Sequence, residues 1–221
     1  MPLLTPRPPT ECVDAFSHGL AAFLSGGPAG LVVSETFVGS APPIPSAADV
    51  GMGSGPVLGP PDMPAWIQAF TLTLQQAANN TGVINPAFAG WSLFAGSAQG
   101  KTVLGTVVQR RHAWKLVAVH YGEAVWETLQ TVQQLQSTPP ARVLNETYEL
   151  RLLAVPGLNT EVFWLTGQVP TSIDVIIPTS STPSRTLFPL LYRGPQVLQS
   201  FLADIRPLAA SLLTMPPEYG A

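Results

Sequence analysis

Three histidines and one cysteine, His18, His112, His120 and Cys12, are the residues of this chain whose types suit nucleophilic or metal chemistry, alongside thirteen carboxylates. A catalytic triad needs a hydroxyl or thiol, an imidazole and a carboxylate brought together in space. His18 lies about one and a half helical turns from Cys12, which is not the local pairing that a cysteine nucleophile needs. A lone cysteine near a helix start packs as a small apolar residue. His112 and His120 bracket one predicted strand and lie roughly 26 Å apart when it is extended, so they share no metal unless it bends sharply. Glu123 and Glu127, four apart, fall on one helix face. Paired carboxylates can do acid–base work or hold a divalent ion, but Glu in a first helical turn is also what the helix dipole favours. If the chain has a polar pocket, His112, His120 and Glu123 are its candidate residues. No cofactor and no metal are expected.

Two glycine-rich stretches come close to phosphate-binding motifs. Gly96-Ser-Ala-Gln-Gly100-Lys101-Thr102 is one residue short of a phosphate loop. The β-branched run after it reads as strand rather than the helix whose N-terminus would face the phosphates. Gly51-Met-Gly-Ser-Gly55 neither follows a clear strand nor opens a helix, and reads as a linker. Arg110, Arg111, His112 and Lys115 around Trp114 form a basic cluster that could track a phosphate backbone, though four residues are few and a solvated strand end has the same composition.

These residues must be positioned by a chain of 221 residues, long enough to bury a core without disulfides. Charged residues make up 10 % of it, against about 25 % in typical globular proteins. A free monomer keeps itself soluble with a charged surface, so the deficit suggests surface hidden against a partner. Drift in a GC-rich genome would produce the same composition. A net charge of −3 argues against nucleic acid and anionic membranes as partners. One cysteine allows no intrachain disulfide, which suits a reducing, cytoplasmic setting. No run approaches the roughly 18 apolar residues of a membrane span, and the N-terminus has no uninterrupted apolar signal core. Asn79-Asn80-Thr81 and Asn145-Glu146-Thr147 are glycosylation triplets without a secretory context.

The hydrophobic spacing predicts helices over Glu11–Leu24 with Thr10 as N-cap, over Asp62–Ala78, over Gly122–Gln136, and from Gly194-Pro195 through Leu212 with Pro207 kinking or breaking it. The helix from Asp62 has the clearest pattern, with Met63, Trp66, Ile67, Phe70 and Leu74 on one face. Strands are expected over Leu31–Val38, Gly90–Ala95, Thr102–Gln109, Ala113–His120, Arg142–Val155, Thr160–Leu165 and Ser172–Ile177. In the fifth of these, Tyr148, Leu150, Leu152 and Ala154 would share one face. The five tryptophans all fall on predicted elements, which suits core packing.

The expected fold is α+β: an antiparallel sheet with helices packed on one face, which can be parsed as two helix-plus-three-strand units. The expected organisation is an N-terminal helix and short strand at 1–38, a Pro/Gly-rich linker at 39–62 and a main domain at 63–221. Residues 178–185 read as a further loop. The stretch from Tyr148 to Leu165 followed by Asp174–Pro178 has a bacterial character but carries no activity over from a named family. Functionally, the low charge and the absence of a catalytic cluster point to a non-enzymatic protein–protein interaction or assembly protein, through a protein partner or self-association. The alternative is a small hydrolase or small-ligand binder with a pocket between sheet and helices.

Overall fold

The computed structural model describes residues 3–24, 32–35, 66–96, 102–121, 123–137, 146–169, 171–179 and 195–214. The two long Pro/Gly-rich segments expected at 39–62 and 178–185 lie wholly or mostly outside these residues. In chain order the elements are β1 (Leu3–Leu4), α1 (Thr10–Leu24), β2 (Val32–Glu35), β3 (Trp66–Thr71), α2 (Leu74–Asn79), β4 (Ala87–Gly96), β5 (Thr102–Arg110) and β6 (Ala113–Tyr121). They continue as α3 (Glu123–Ser137), β7 (Tyr148–Val155), β8 (Thr160–Gly167), β9 (Val175–Pro178), β10 (Gln196–Val197) and α4 (Leu198–Thr214). The mixed α+β class is as expected, and the strand pairings are mostly antiparallel.

The chain divides into two compact units, one made of Met1–Leu4, Ala69–Phe88 and Pro140–Ala221, the other of Thr5–Gln68 and Ala89–Pro139. In the second, β4, β5 and β6 form the expected antiparallel meander and β2 adds to β6 in parallel. Gly96 pairs with Thr102, so the phosphate-loop look-alike closes a hairpin and no helix follows it. Helix α1 begins where Pro9 presents its carbonyl to the N–H groups of Cys12 and Val13. It buries Cys12, Phe16 and Leu20 against Trp91, Val103, Val107 and Val119. The approach is close enough to require glycine on the strand: a Cβ on Gly105 would lie 2.4 Å from Cε2 of Phe16. Phe94 and Leu104, on the opposite side of these strands, are buried as well.

In the first unit β7, β8, β9 and β10 follow one another as antiparallel neighbours, and β1 runs parallel to β7. Leu153, Val155, Val162, Trp164 and Ile176 pack with Leu72 and Ala77 and with Phe201, Leu202 and Ile205 of α4. On the face shared by Tyr148, Leu150, Leu152 and Ala154 the first three are buried and Ala154 is half-buried, and Leu153 and Val155 are buried on the other face. Burial on both faces is confined to the Leu152–Val155 end of β7, since Glu149 and Arg151 occupy one face of its first half.

The helix expected over Asp62–Ala78 is corrected by the structure. Residues 66–71 are strand, with Ile67 and Ala69 buried and Trp66, Gln68 and Phe70 half-buried. This alternation has the period of a strand, and aromatic and β-branched residues suit a pleated surface. Helix α2 starts only after Thr73, whose hydroxyl accepts from the Gln76 N–H while the Gln76 side chain accepts from the Thr73 N–H, a complete capping box. The last helix also differs. Gln196–Val197 pairs with β9, the helix opens at Leu198, and it runs through Pro207 to Thr214 without a break. Ile205 and Ala209, buried on either side of Pro207, hold the turn that the proline weakens.

Candidate functional site

The β7–β8 register sets Arg151 directly opposite Trp164. The guanidinium carbon lies 5.0 Å from the centroid of the Trp164 ring and 4.9 Å from that of Phe70, within cation–π reach of both. Glu149, two residues back on the same strand face, accepts from Arg151 Nε at 2.8 Å. Phe70 meets Trp164 and Phe88 edge-to-face at centroid distances of 5.8 and 5.7 Å. The indole N–H of Trp164 donates to Asp174 Oδ2 at 2.9 Å, and Asp174 Oδ1 accepts from the Gly167 N–H at 3.3 Å. Gly167 is required here, because a Cβ on it would fall 2.0 Å from Cβ of Ser172 in the returning β8–β9 turn.

Beside this stack lies a cavity of about 360 Å³, walled by Val83, Ile84, Trp164, Ile173, Asp174 and Leu198 among others. A second cavity, of about 300 Å³, is lined by the amides of Gln75, Gln76, Asn79, Asn80 and Asn85. Val83 and Ile84 contribute to both. Val83 itself is 81 % exposed, Ile173 57 % and Phe88 47 %. Among the described residues, every large apolar side chain that is exposed belongs to this unit: these three, Leu4, Val169 and the helix-end pair Leu212 and Leu213. The exposed Val83 and Ile173 share the cavity wall, and the buried Trp164 ring behind it makes the edge contact to Phe70, which in turn meets Phe88.

The candidate residues from sequence lie in the other unit. His112 is exposed at the β5–β6 turn. His120 sits eight residues along β6, in register with Leu104 on one side and Ser34 on the other, and burial holds its pKa below the ordinary imidazole value. The strand separates the two histidines rather than joining them. Glu123 opens α3, where its side chain lies outside the described residues, and Glu127 is exposed one turn on. Cys12 is fully buried, and its pKa is pushed up to about 12 by that burial. Of the tryptophans, Trp91 and Trp164 are buried and Trp66 and Trp114 are half-buried against the α1 core.

No group of three or more His, Cys, Asp or Glu able to hold a metal ion occurs among the described residues. No helix among them is long and apolar enough to cross a membrane. Sequence reasoning missed the Arg151–Trp164 stack, although Arg151 stands out as a cation inside the apolar run Tyr148–Val155. Comparison of the chain with protein-family models, curated proteins and solved structures finds no match.

Proposed function

We propose that this is a non-enzymatic assembly protein whose copies pair through the apolar surface around Val83. The observation that carries this reading is the adjacency of a protruding valine, 81 % exposed, and a cavity of about 360 Å³ that it helps to wall. A twofold contact must be self-complementary, and a knob beside its own kind of hole meets that condition. Each copy's Val83 would enter the other's cavity and cover Ile173. The low charge fits, since a net of −3 offers little repulsion between copies. The reducing, cytoplasmic setting belongs to the same proposal.

The test is the solution mass of the purified chain by light scattering across concentration and salt. A stable mass of twice 23.4 kDa that falls to one copy in Val83→Glu supports the reading. A monomer at every concentration, or a dimer unmoved by Val83→Glu, overturns it.

A small-ligand binder is the second reading. It is favoured by the larger cavity, which also carries the Asp174 carboxylate and Ser172, whose Oγ is buried without a partner among the described residues. A ligand that raises the melting temperature of wild type but not of Ser172→Ala would support it.

A further inference from the structure

We propose that the tip of the β5–β6 hairpin is a docking point for a short acidic segment of a partner protein. The charge pattern is the first ground. From Met63 to Gly122 the chain contains no Asp or Glu, yet Lys101, Arg110, Arg111 and Lys115 fall within this stretch, four of the ten Lys and Arg residues of a net-negative chain. Three of the four gather at one turn.

Geometry is the second. Arg110 pairs with Ala113 across the hairpin, and Arg111 and His112 form the turn between them. Lys115 pairs with Val108, which places it on the same hairpin face as Arg110. Arg110, Arg111, His112 and Lys115 are all exposed, and none has an ion-pair partner among the described residues. On the opposite face Trp114 packs against the α1 core, so the cations stand on an anchored base. Preorganisation of this kind lowers the ordering cost of binding.

The backbone is the third ground. Arg111 and His112 both have positive φ, 48° and 69°, as a tight two-residue hairpin turn requires at both positions. Asn-Gly is the sequence that such a turn favours; Arg-His is held there against its conformational preference. Residues kept in such conformations concentrate at binding sites. This turn trades stability for two side chains that can meet an anion.

The chemistry points to carboxylates on a protein rather than to nucleic acid. Three fixed cations match a short acidic run, and the arginine fork fits a carboxylate bidentately. A nucleic-acid site is usually built on about six to ten phosphate contacts and exposed stacking rings. Here Trp114 is committed to the core rather than offering a stacking face beside the cations.

The test uses the full chain and a fluorescein-labelled oligoglutamate of about eight residues, with oligoglutamine and oligothymidylate of equal length as comparators. The expected result is oligoglutamate binding that weakens at least about tenfold between about 50 and about 300 mM salt. Arg110→Ala/Lys115→Ala should lose about tenfold in affinity. Arg111→Asn/His112→Gly should melt several degrees higher while binding about fivefold more weakly. Tighter binding of oligothymidylate than of oligoglutamate overturns the proposal, as does no binding, or an Asn-Gly variant that melts higher and binds as well as wild type. Because the tip and Val83 lie on different units, Val83→Glu should bind oligoglutamate unchanged, which separates failure here from failure of the pairing surface.

Discussion

Arg206 of α4 donates from Nη2 to Asn80 Oδ1 at 3.0 Å, joining residues 126 apart in sequence. Asn80 is 6 % exposed. Its Oδ1 also accepts from the Gly82 N–H, and its Nδ2 donates to the carbonyls of Ala77 and Leu202. One amide thus stitches the end of α2, the following loop and α4 together. Removing it takes a donor from the carbonyls of the buried residues Ala77 and Leu202 and an acceptor from Gly82 and Arg206, so Asn80→Ala should lower unfolding stability by about 2 kcal/mol in urea denaturation. Asn80→Asp keeps an acceptor for Arg206 but turns oxygen toward two carbonyls, and should also destabilise. Both changes loosen the loop carrying Val83 and should weaken self-association in the light-scattering assay.

The contacts of α1 with β5 and β6 have no room for a methyl group. A Cβ on Gly105 would press on the Phe16 ring, and one on Gly19 would lie 2.6 Å from Leu116 Cβ. Gly105→Ala should cost about 1–3 kcal/mol through overpacking. Adding Phe16→Leu, which removes the ring edge being struck, should cost less in the Gly105→Ala background than in wild type. Additive losses in that cycle would show that the two positions do not press on one another.

The meander and the core helices were legible because their burial is one-sided or sharply bounded. The β4–β6 runs are rich in Val and Leu and end at Gly96 and at Arg111-His112, while Val125, Leu129, Val132 and Leu135 repeat at helical spacing and are buried. Residues 63–78 misled because Trp66, Ile67, Phe70 and Leu74 satisfy a helical period by coincidence. Burial of Ile67 and Ala69 alone, with a helix start pinned at Thr73, decides for strand, and that depends on neighbours distant in sequence. Pro207 misled in the other direction, since tertiary packing outweighs one lost backbone hydrogen bond.

The apolar surface was not legible at all. Val83 sits in a turn-rich stretch, and nothing local says that it projects while Ile84 beside it is half-buried. The Arg151–Trp164 stack depends on the β7–β8 register. The basic tip was visible as composition, but its strained turn was not, because Arg-His is not a turn signal.

Cys12 gives a direct probe of the α1 core. Fully buried and with its pKa pushed up to about 12, the thiol carries almost no thiolate at neutral pH and is shielded from reagents. An aromatic disulfide reagent should label the native protein only as fast as it opens, and should label it at once in denaturant. Rapid native labelling would mean that α1 is not seated on β5 and β6.

Glu161 should make stability fall as pH rises through the weakly acidic range. Burial pushes its pKa up to about 7, above the ordinary carboxyl value. Between about pH 4.5 and pH 7 the folded chain therefore holds a proton that the unfolded chain has released, so raising the pH favours unfolding across that window and no further above it. The side chain keeps partial solvent contact, so the loss should be about 1–2 kcal/mol rather than the full shift. His120 acts in the opposite sense: its lowered pKa makes stability fall as pH drops below the ordinary imidazole value. The difference between wild type and Glu161→Gln isolates the carboxyl. Urea denaturation across this range should show Glu161→Gln gaining on wild type as pH rises, with the gain levelling off above about pH 7. Parallel stability curves for the two proteins would mean that the carboxylate is already well accommodated in the fold.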